Sequence, residues 1–273
     1  MKGLKFTILH HGYIENDIAW NVALPHPGSV DDKNPRAEWV RVPSFSVLVM
    51  HPDVGYILYD TGSTPGDEKD RRPAEARRLL PIIATESDFL DAQLANLGLT
   101  PKDINTVVIS HMHSDHGGGL KFFSHTAAGQ NIIVGKRDFE FGLVETHRSC
   151  TEINLAYLRP NFDFEGLSYK LIEEDMELGP GVELIMLEGH APSIIGLILH
   201  LESGVFIFPS DAVYTAMNYG PPMRLPGYIY DSLGFARSVN RLYSLQKTLG
   251  ARMIFPHDPV QYTELKRAPF YYE

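Results

Sequence analysis

Residues 104–119 read INTVVISHMHSDHGGG, an apolar run followed by a dense cluster of histidines and then by three glycines. Residues 106–110 (TVVIS) form an apolar run that is typical of a strand covered on both faces. Four side chains that can bind a metal follow within six positions: His111, His113, Asp115 and His116. The three glycines after them let the backbone turn sharply. The four side chains can therefore converge, although His116 would face away from the other three in a straight strand.

Three later apolar segments also end in polar side chains. Residues 188–190 (EGH), 210–211 (SD) and 255–258 (FPHD) each add a side chain that can bind a metal: His190, Asp211 and His257. Open α/β sheets bind their ligands at such strand ends. Imidazole and carboxylate groups at this density suit zinc or another first-row dication. A polar loop with incidental histidines is the alternative for residues 111–116, and their clustering argues against it.

The flanking sequence alternates strand-like and helix-like segments. We predict strands at 6–9, 46–50, 56–59, 106–110, 131–135, 182–187, 196–201, 205–208 and 253–255, and helices at 85–97, 136–145 and 235–249. Residues 25–43, rich in Pro, Gly, Asp and Asn, predict a long loop. Because no linker separates the two halves, we expect the α/β class and one layered domain over residues 1–273.

Charge and cysteine content exclude several classes of protein. The 273 residues carry 24 Lys and Arg against 34 Asp and Glu, a net charge of −10, which disfavours nucleic acid and a polybasic membrane anchor. The single cysteine, Cys150, cannot form an intramolecular disulfide. The first residues lack the apolar core of a signal peptide, and no apolar run approaches 18 residues. We therefore expect a cytoplasmic protein without a membrane partner.

Residues 111–116 (HMHSDH) match the HxHxDH signature of the metallo-β-lactamase superfamily. Residues 60–62 (DTG), His190, Asp211 and His257 follow the order of that superfamily, so the resemblance covers residues 44–258. A narrower resemblance is to the N-acyl-homoserine lactonases. Residues 211–215 (DAVYT) are similar to their D-A-x-Y-T segment, and 255–258 (FPHD) to their F-G-H-D with Pro in place of Gly. The resemblance implies an αββα sandwich of two mixed sheets flanked by helices.

The resemblance also implies a site with two divalent metal ions. One ion would be bound by His111, His113 and His190, and the other by Asp115, His116 and His257. Asp211 would bridge them together with a water or hydroxide. Zinc is the expected metal, while iron, cobalt and manganese remain open because such ligands accept all of them. Asp60 is expected to orient a ligand rather than to bind metal.

By the same resemblance, the bridging hydroxide would attack a lactone carbonyl. Tyr214 would stabilise the oxyanion, and Asp115 would pass a proton to the leaving ring oxygen. Ile18, Trp20 and Ser114 are candidates for binding the acyl chain. Several lactonases have a bulky apolar residue where this chain has Ser114, which leaves the acyl preference open. Residues 146–164 form either a lid over the site or ordinary packing.

The leading hypothesis is a dinuclear lactonase that opens N-acyl-homoserine lactones and thereby quenches quorum sensing. The expected partner is a small-molecule lactone, and the expected oligomeric state is a monomer or a homodimer. The nearest alternative is the same machinery acting on another lactone, such as a pyridoxine-derived one, or on a thioester. Redox relatives on this fold, the di-iron flavoproteins, usually have Glu where His113 stands and add a flavodoxin domain. This chain has neither feature.

Overall fold

Two mixed β-sheets pack face to face in the computed structural model, which describes residues 1–64, 72–148, 155–162 and 165–273. The strands are β1 (Lys5–Asp17), β2 (Trp39–His51), β3 (Gly55–Tyr59), β4 (Ile82–Ile83), β5 (Ile104–Ile109), β6 (Ile132–Gly135), β7 (Tyr169–Ile172), β8 (Met176–Gly179), β9 (Val182–Leu187), β10 (Ile194–Leu201), β11 (Gly204–Phe208) and β12 (Arg252–Met253). The α-helices are α1 (Ala74–Leu79), α2 (Leu90–Ala95), α3 (Ser114–Gly117), α4 (Lys136–His147), α5 (Ser232–Leu249) and α6 (Pro259–Glu264).

The first sheet has seven strands in the order β4-β1-β2-β3-β5-β6-β7, and the second has five in the order β12-β11-β10-β9-β8. In the first sheet, β1 to β3 pair antiparallel, whereas β3, β5, β6 and β7 pair parallel. In the second sheet, only the β11–β12 pair is parallel. Both sheets are therefore mixed, as predicted.

Alternation along single strands builds the layers. Val47 and Val49 of β2 lie in the core between the two sheets, while Leu48 between them packs on the outer face of the first sheet. In the second sheet, Leu197 lies in the inner core and Ile198 in the outer one. This period of two is what a strand covered on both faces requires.

Helices cover the two outer faces. Leu90 and Leu94 of α2 pack against the outer side of the first sheet, and both are fully buried. Phe235 and Val239 of α5 do the same for the second sheet. The order of layers is helix, sheet, sheet, helix, which confirms the predicted αββα sandwich. No helix among the described residues combines the length and the apolar character needed to cross a membrane.

The first strand is longer than predicted, because β1 continues through its polar residues to Asp17. Its partner β2 begins at Trp39, so residues 39–43 of the predicted loop also belong to a strand. Glu15 lies directly opposite Arg41 in this hairpin. The Arg41 Nε donates to Glu15 Oε1 at 2.9 Å, which forms an ion pair across the two strands. The prediction required an apolar pattern and therefore missed this polar part of the strand.

The predicted helix 85–97 is split in the structure. A 3-10 turn over Glu86–Asp88 comes first, and the extended backbone of Phe89 separates it from α2. The Thr85 N–H donates to the Asp88 carboxylate at 2.7 Å in a capping box that stabilises the start of this turn, and the extended Phe89 then interrupts the helix. The prediction missed six short α-helices and strands: α1, α3, α6, β4, β7 and β8. Cys150 and part of the 146–164 segment lie outside the described residues.

Candidate metal centre

The ends of four strands supply the site. His111 and His113 follow β5 of the first sheet, while His190, Asp211 and His257 follow β9, β11 and β12 of the second. The short helix α3 begins directly after His113, with His113 as its N-terminal cap residue. This turn of helix brings Asp115 and His116 back toward the strand ends. His116 therefore does not face away from the other ligands, as it would in a straight strand.

The potential ligands form two groups. His111, His113 and His190 make up the first group, and all three are buried. The Nδ1 of His113 lies 2.9 Å from the Nε2 of His190. The second group consists of Asp115, His116, Asp211 and His257. Within each group the potential ligand atoms lie within 4.8 Å of one another, and no other histidine of the described residues joins such a group.

Asp211 faces both groups. Its Oδ2 lies 3.4 Å from the His190 Nε2 and 3.8 Å from the His111 Nε2. Its Oδ1 lies 3.1 Å from the His257 Nε2 and 3.4 Å from the His116 Nε2. One carboxylate oxygen thus points to each group, which is the arrangement that a bridging ligand requires.

The two groups differ in charge. Burial, together with the neighbouring imidazoles, lowers the pKa of His111 and His113 well below the usual value, so the first group is neutral. Burial also lowers the pKa of His116, but the carboxylates of Asp115, Asp211 and Asp60 outweigh it and raise the pKa well above the usual value. The second group therefore holds protons that a dication would displace on binding.

Each of four histidines directs one ring nitrogen inward and has the other held by an outer partner. The outer contacts are His111 Nδ1 to Ser110 Oγ at 3.1 Å, His116 Nδ1 to Asp60 Oδ2 at 2.9 Å, His190 Nδ1 to Tyr214 Oη at 2.5 Å and His257 Nδ1 to the Pro43 carbonyl at 2.8 Å. Such outer partners fix the orientation and tautomer of a metal-binding imidazole.

Three buried atoms of the centre lack a hydrogen-bond partner among the described residues: the His111 Nε2, the His116 Nε2 and the Asp211 Oδ1. A buried polar atom without a partner is costly, so natural proteins rarely keep one without a reason. All three point into the two groups, where divalent ions would satisfy them. The residues present therefore fit a pair of metal ions.

Asp60 supports the centre without belonging to either group. Its carboxylate accepts the Ser110 N–H at 2.7 Å and the Ser110 hydroxyl at 2.9 Å, as well as binding the His116 ring. Asp60 itself has a φ of 64°, a left-handed conformation that is uncommon outside glycine. This conformation places its carboxylate beneath the ligands rather than among them.

A cavity of about 90 Å³, open to solvent, faces both groups. Its walls are mostly apolar, and Ile14, Val42, Leu80 and Ile82 line one side. Trp20, Ser114 and Tyr214, all singled out from the sequence, line it as well.

Ile18 is not among the described residues that line the cavity. It starts a 3-10 turn, where its backbone bonds to Glu38 and Asn21, and the turn presents Trp20 instead.

Sequence reasoning missed several residues of the cavity wall. Asn16 lies on β1, beyond the strand predicted at 6–9, and Tyr228 and Arg72 gave no signal in the sequence. Leu155 and Ala156, from the segment considered as a lid, also line the cavity. The following Tyr157 and Leu158 are buried, so this described part of the segment is packed against the protein.

The comparison with family models covers most of the chain. The model of the metallo-beta-lactamase superfamily matches residues 39–242. The chain belongs to this superfamily. Among curated members of the superfamily, the N-acyl homoserine lactonase AiiB of Agrobacterium fabrum is 33% identical over 99% of this chain and 100% of its own length. The enzyme of the same name from Rhizobium rhizogenes is 35% identical over 80% of each chain.

Solved structures of superfamily members have the same fold. A variant of AiiA from B. thuringiensis with N-decanoyl-L-homoserine bound at its active site matches with a TM-score of 0.82 and 26% identity over 98% of each chain. An N-acyl homoserine lactone hydrolase with the product N-hexanoyl-L-homoserine at its catalytic metal centre matches with the same score, identity and coverage.

Proposed function

We propose that this protein is a dinuclear metal-dependent hydrolase that opens the lactone ring of N-acyl-homoserine lactones. The observation that carries the proposal is the Asp211 carboxylate, which faces two groups of histidines on the floor of a largely apolar cavity. Relatives named N-acyl homoserine lactonases over nearly the full length of the chain support this choice of substrate.

The ligand sets are part of the proposal. His111, His113 and His190 would hold one ion, Asp115, His116 and His257 the other, and Asp211 both. The expected metal is zinc, and iron, cobalt or manganese would suit the same nitrogen and oxygen atoms. A pair of divalent ions bound there would polarise the ester carbonyl and make water nucleophilic at neutral pH.

Tyr214 is the proposed donor to the carbonyl oxygen. If the Nε2 of His190 faces a metal, its Nδ1 must carry the proton and donate it to the Tyr214 oxygen 2.5 Å away. The tyrosine O–H then points away from His190, with only the Tyr228 carbonyl near it, at 3.5 Å, among the acceptors of the described residues, and the residue lines the cavity. Burial raises the pKa of Tyr214 well above 10, so the hydroxyl keeps its proton. It can therefore stabilise an oxygen that gains negative charge.

Asp115 is the proposed proton carrier. Burial raises the pKa of Asp115, but His116 and His257 outweigh this effect and lower the pKa below its usual value. The carboxylate is therefore ionised. Its Oδ2 lies 3.4 Å from the His116 Nε2, and the residue lines the cavity. Asp115 can therefore accept a proton from the attacking water and deliver it to the ring oxygen that leaves, so that lactone and water yield a hydroxy acid.

The cavity walls suit an acyl chain. Ile14, Val42, Leu80 and Ile82 provide an apolar surface, and Trp20 and Ser114 would contact the same chain. Both ligand groups draw residues from both sheets, so neither half could form the centre alone. This sharing supports a single domain over residues 1–273.

The test is hydrolysis measured by pH-stat over a panel of N-acyl-homoserine lactones of increasing chain length. The zinc-loaded protein is compared with the protein after metal removal by a chelator. Nitrocefin, a glutathione thioester and a lactone without an acyl amide serve as competing substrates. We expect metal-dependent release of acid from the acyl lactones. Faster turnover of the thioester, or of the lactone that lacks the amide, would overturn the proposal.

A further inference from the structure

A buried carboxyl group outside both ligand groups is bonded to the ligand loop. Asp138, the third residue of α4, has no exposed surface. Its Oδ2 accepts the N–H of Met112 at 2.7 Å, and its Oδ1 accepts the hydroxyl of Tyr157 at 2.5 Å. Its own backbone N–H donates to the Ser193 hydroxyl at 3.1 Å. Burying a carboxyl is costly, so these bonds call for a reason.

The bond to Met112 fixes the peptide between two ligands. Met112 stands between His111 and His113 and is fully buried. Its N–H belongs to the peptide unit that joins it to His111, so the bond to Asp138 sets the direction in which that unit faces. On the other side of His113, the N–H of Ser114 donates to the Ala156 carbonyl at 3.0 Å. The loop is therefore held on both sides of His113.

Tyr157 connects the same carboxyl to a ligand ring. Its ring meets the His113 ring edge to face, with centroids 4.6 Å apart and an interplanar angle of 83°. Gly142 of α4 makes room for this ring, because a Cβ at that position would lie 2.6 Å from the Tyr157 Cδ1. The carboxyl group of Asp138 is thus linked to the loop between His111 and His113 and, through Tyr157, to the His113 ring.

The second group rests on different partners. Asp60 holds the His116 ring, and the Pro43 carbonyl holds the His257 ring. No hydrogen bond described above joins Asp138 or Tyr157 to those two rings, although the charge of His116 acts on Asp138 through space. A substitution at Asp138 or Tyr157 should therefore disturb the first group more than the second.

We propose that Asp138 and Tyr157 form a positioning pair that sets the geometry of His111 and His113, and with it the metal affinity of the first group more than that of the second. The inference rests on the ligand sets of the proposed function. Outer partners of metal ligands typically change the metal affinity by about 10- to 100-fold when they are removed. Neither residue is expected to touch substrate, so the effect is exerted through the ligands.

The test is competition between the protein and a chelator for Co²⁺, followed by the visible absorption bands of the bound ion. Asp138→Ala and Tyr157→Phe are compared with the unaltered protein, and Tyr157→Phe keeps the ring on His113 while removing the hydroxyl. A His257→Ala background removes a ligand of the second group. The ion that this variant still binds therefore reports on the first group. The matched control is a His190→Ala background, which removes a ligand of the first group, so the ion that it binds reports on the second.

We expect Asp138→Ala to weaken binding at the first group by about 10- to 100-fold, with altered absorption bands. Tyr157→Phe should also weaken metal binding at the first group. Asp138→Asn keeps one acceptor oxygen and should therefore weaken binding less than Asp138→Ala does. In the His190→Ala background, Asp138→Ala and Tyr157→Phe should leave binding at the second group unchanged. Equal weakening of both groups, or unchanged binding at the first group in Asp138→Ala and Tyr157→Phe, would overturn the inference. Lactone inactivity of a protein that binds two ions normally would instead refute the proposed function.

Discussion

The Nδ1 of His116 lies 2.9 Å from the Oδ2 of Asp60, and this contact joins the second ligand group to the loop after β3. The left-handed backbone of Asp60, with a φ of 64°, places the carboxylate there. The same carboxylate accepts two bonds from Ser110, the residue before the first ligand. Asp60 thus holds both the start of the ligand loop and one of its rings.

Asp60→Asn should weaken metal binding at the second group by about 10- to 100-fold. The amide keeps an acceptor oxygen but loses the charge that favours a His116 ring donating from Nδ1. Asn tolerates the left-handed backbone well, so the fold should be retained. Metal titration with chelator competition measures the change in affinity. Asp60→Ala should also lower the melting temperature, whereas Asp60→Asn should not. Unchanged affinity in Asp60→Asn would refute this role.

Tyr214→Phe should lower kcat on lactones by about 100-fold, the usual scale for losing one oxyanion donor. KM should change much less, because the hydroxyl is needed most when the carbonyl oxygen gains charge. Steady-state kinetics on one acyl lactone, with the metal content of both proteins measured in parallel, tests this. A Tyr214→Phe variant with two bound ions and full kcat would exclude Tyr214 from the reaction.

Asp211→Asn should reduce the number of bound ions from two to one or none. The carboxylate lies within 3.4 Å of a nitrogen in each group, and the neutral amide offers only one oxygen to two cations. Burial raises the pKa of Asp211, but His257 and His116 lower it well below the usual value, so the native group is an anion. Metal analysis after gel filtration gives the stoichiometry. Two tightly held ions in the variant would show that Asp211 does not bridge them.

The ligand positions could be predicted because they follow strands with a clear apolar pattern, as Ser110 and His111 follow β5. The sequence did not predict the secondary structure of segments whose pattern is polar. β1 continues to Asp17 through its pairing with β2, where Glu15 and Arg41, 26 residues apart, form an ion pair across the two strands. A window of local periodicity cannot detect such a pair, so Asn16 and its neighbours in the cavity wall were missed.

Ser114→Phe should shift the substrate preference toward short acyl chains. Ser114 is 4% exposed and lines the cavity, so a large ring there would take up space that a long chain needs. Poor fit of a few methylene groups changes kcat/KM by roughly 10- to 200-fold. The ratio of kcat/KM for a long-chain and a short-chain lactone measures the effect. Ser114→Ala, which adds no bulk, is the control, and an unchanged ratio in Ser114→Phe would place the acyl chain elsewhere.

Asp138 should make the stability of the metal-free protein depend on pH. Burial raises the pKa of its carboxyl from the ordinary 3.8 to about 7, although the Tyr157 hydroxyl and the Met112 N–H act in the opposite direction. Between about pH 4 and 7, the folded protein therefore keeps a proton that the unfolded chain has released. The stabilisation from this group is complete below about pH 4 and is lost as the pH rises to 7.

Asp138→Asn removes this dependence, because an amide resembles the protonated acid and does not ionise. The free energy of unfolding of the variant, minus that of the unaltered protein, should rise with pH from 5 to 7 and then level off. The whole difference is on the order of a few kcal/mol, since one unit of pKa corresponds to about 1.4 kcal/mol. Urea unfolding at pH 5, 6, 7 and 8 in the presence of a chelator measures it. A difference that stays constant over this range would mean that Asp138 is already ionised at pH 5.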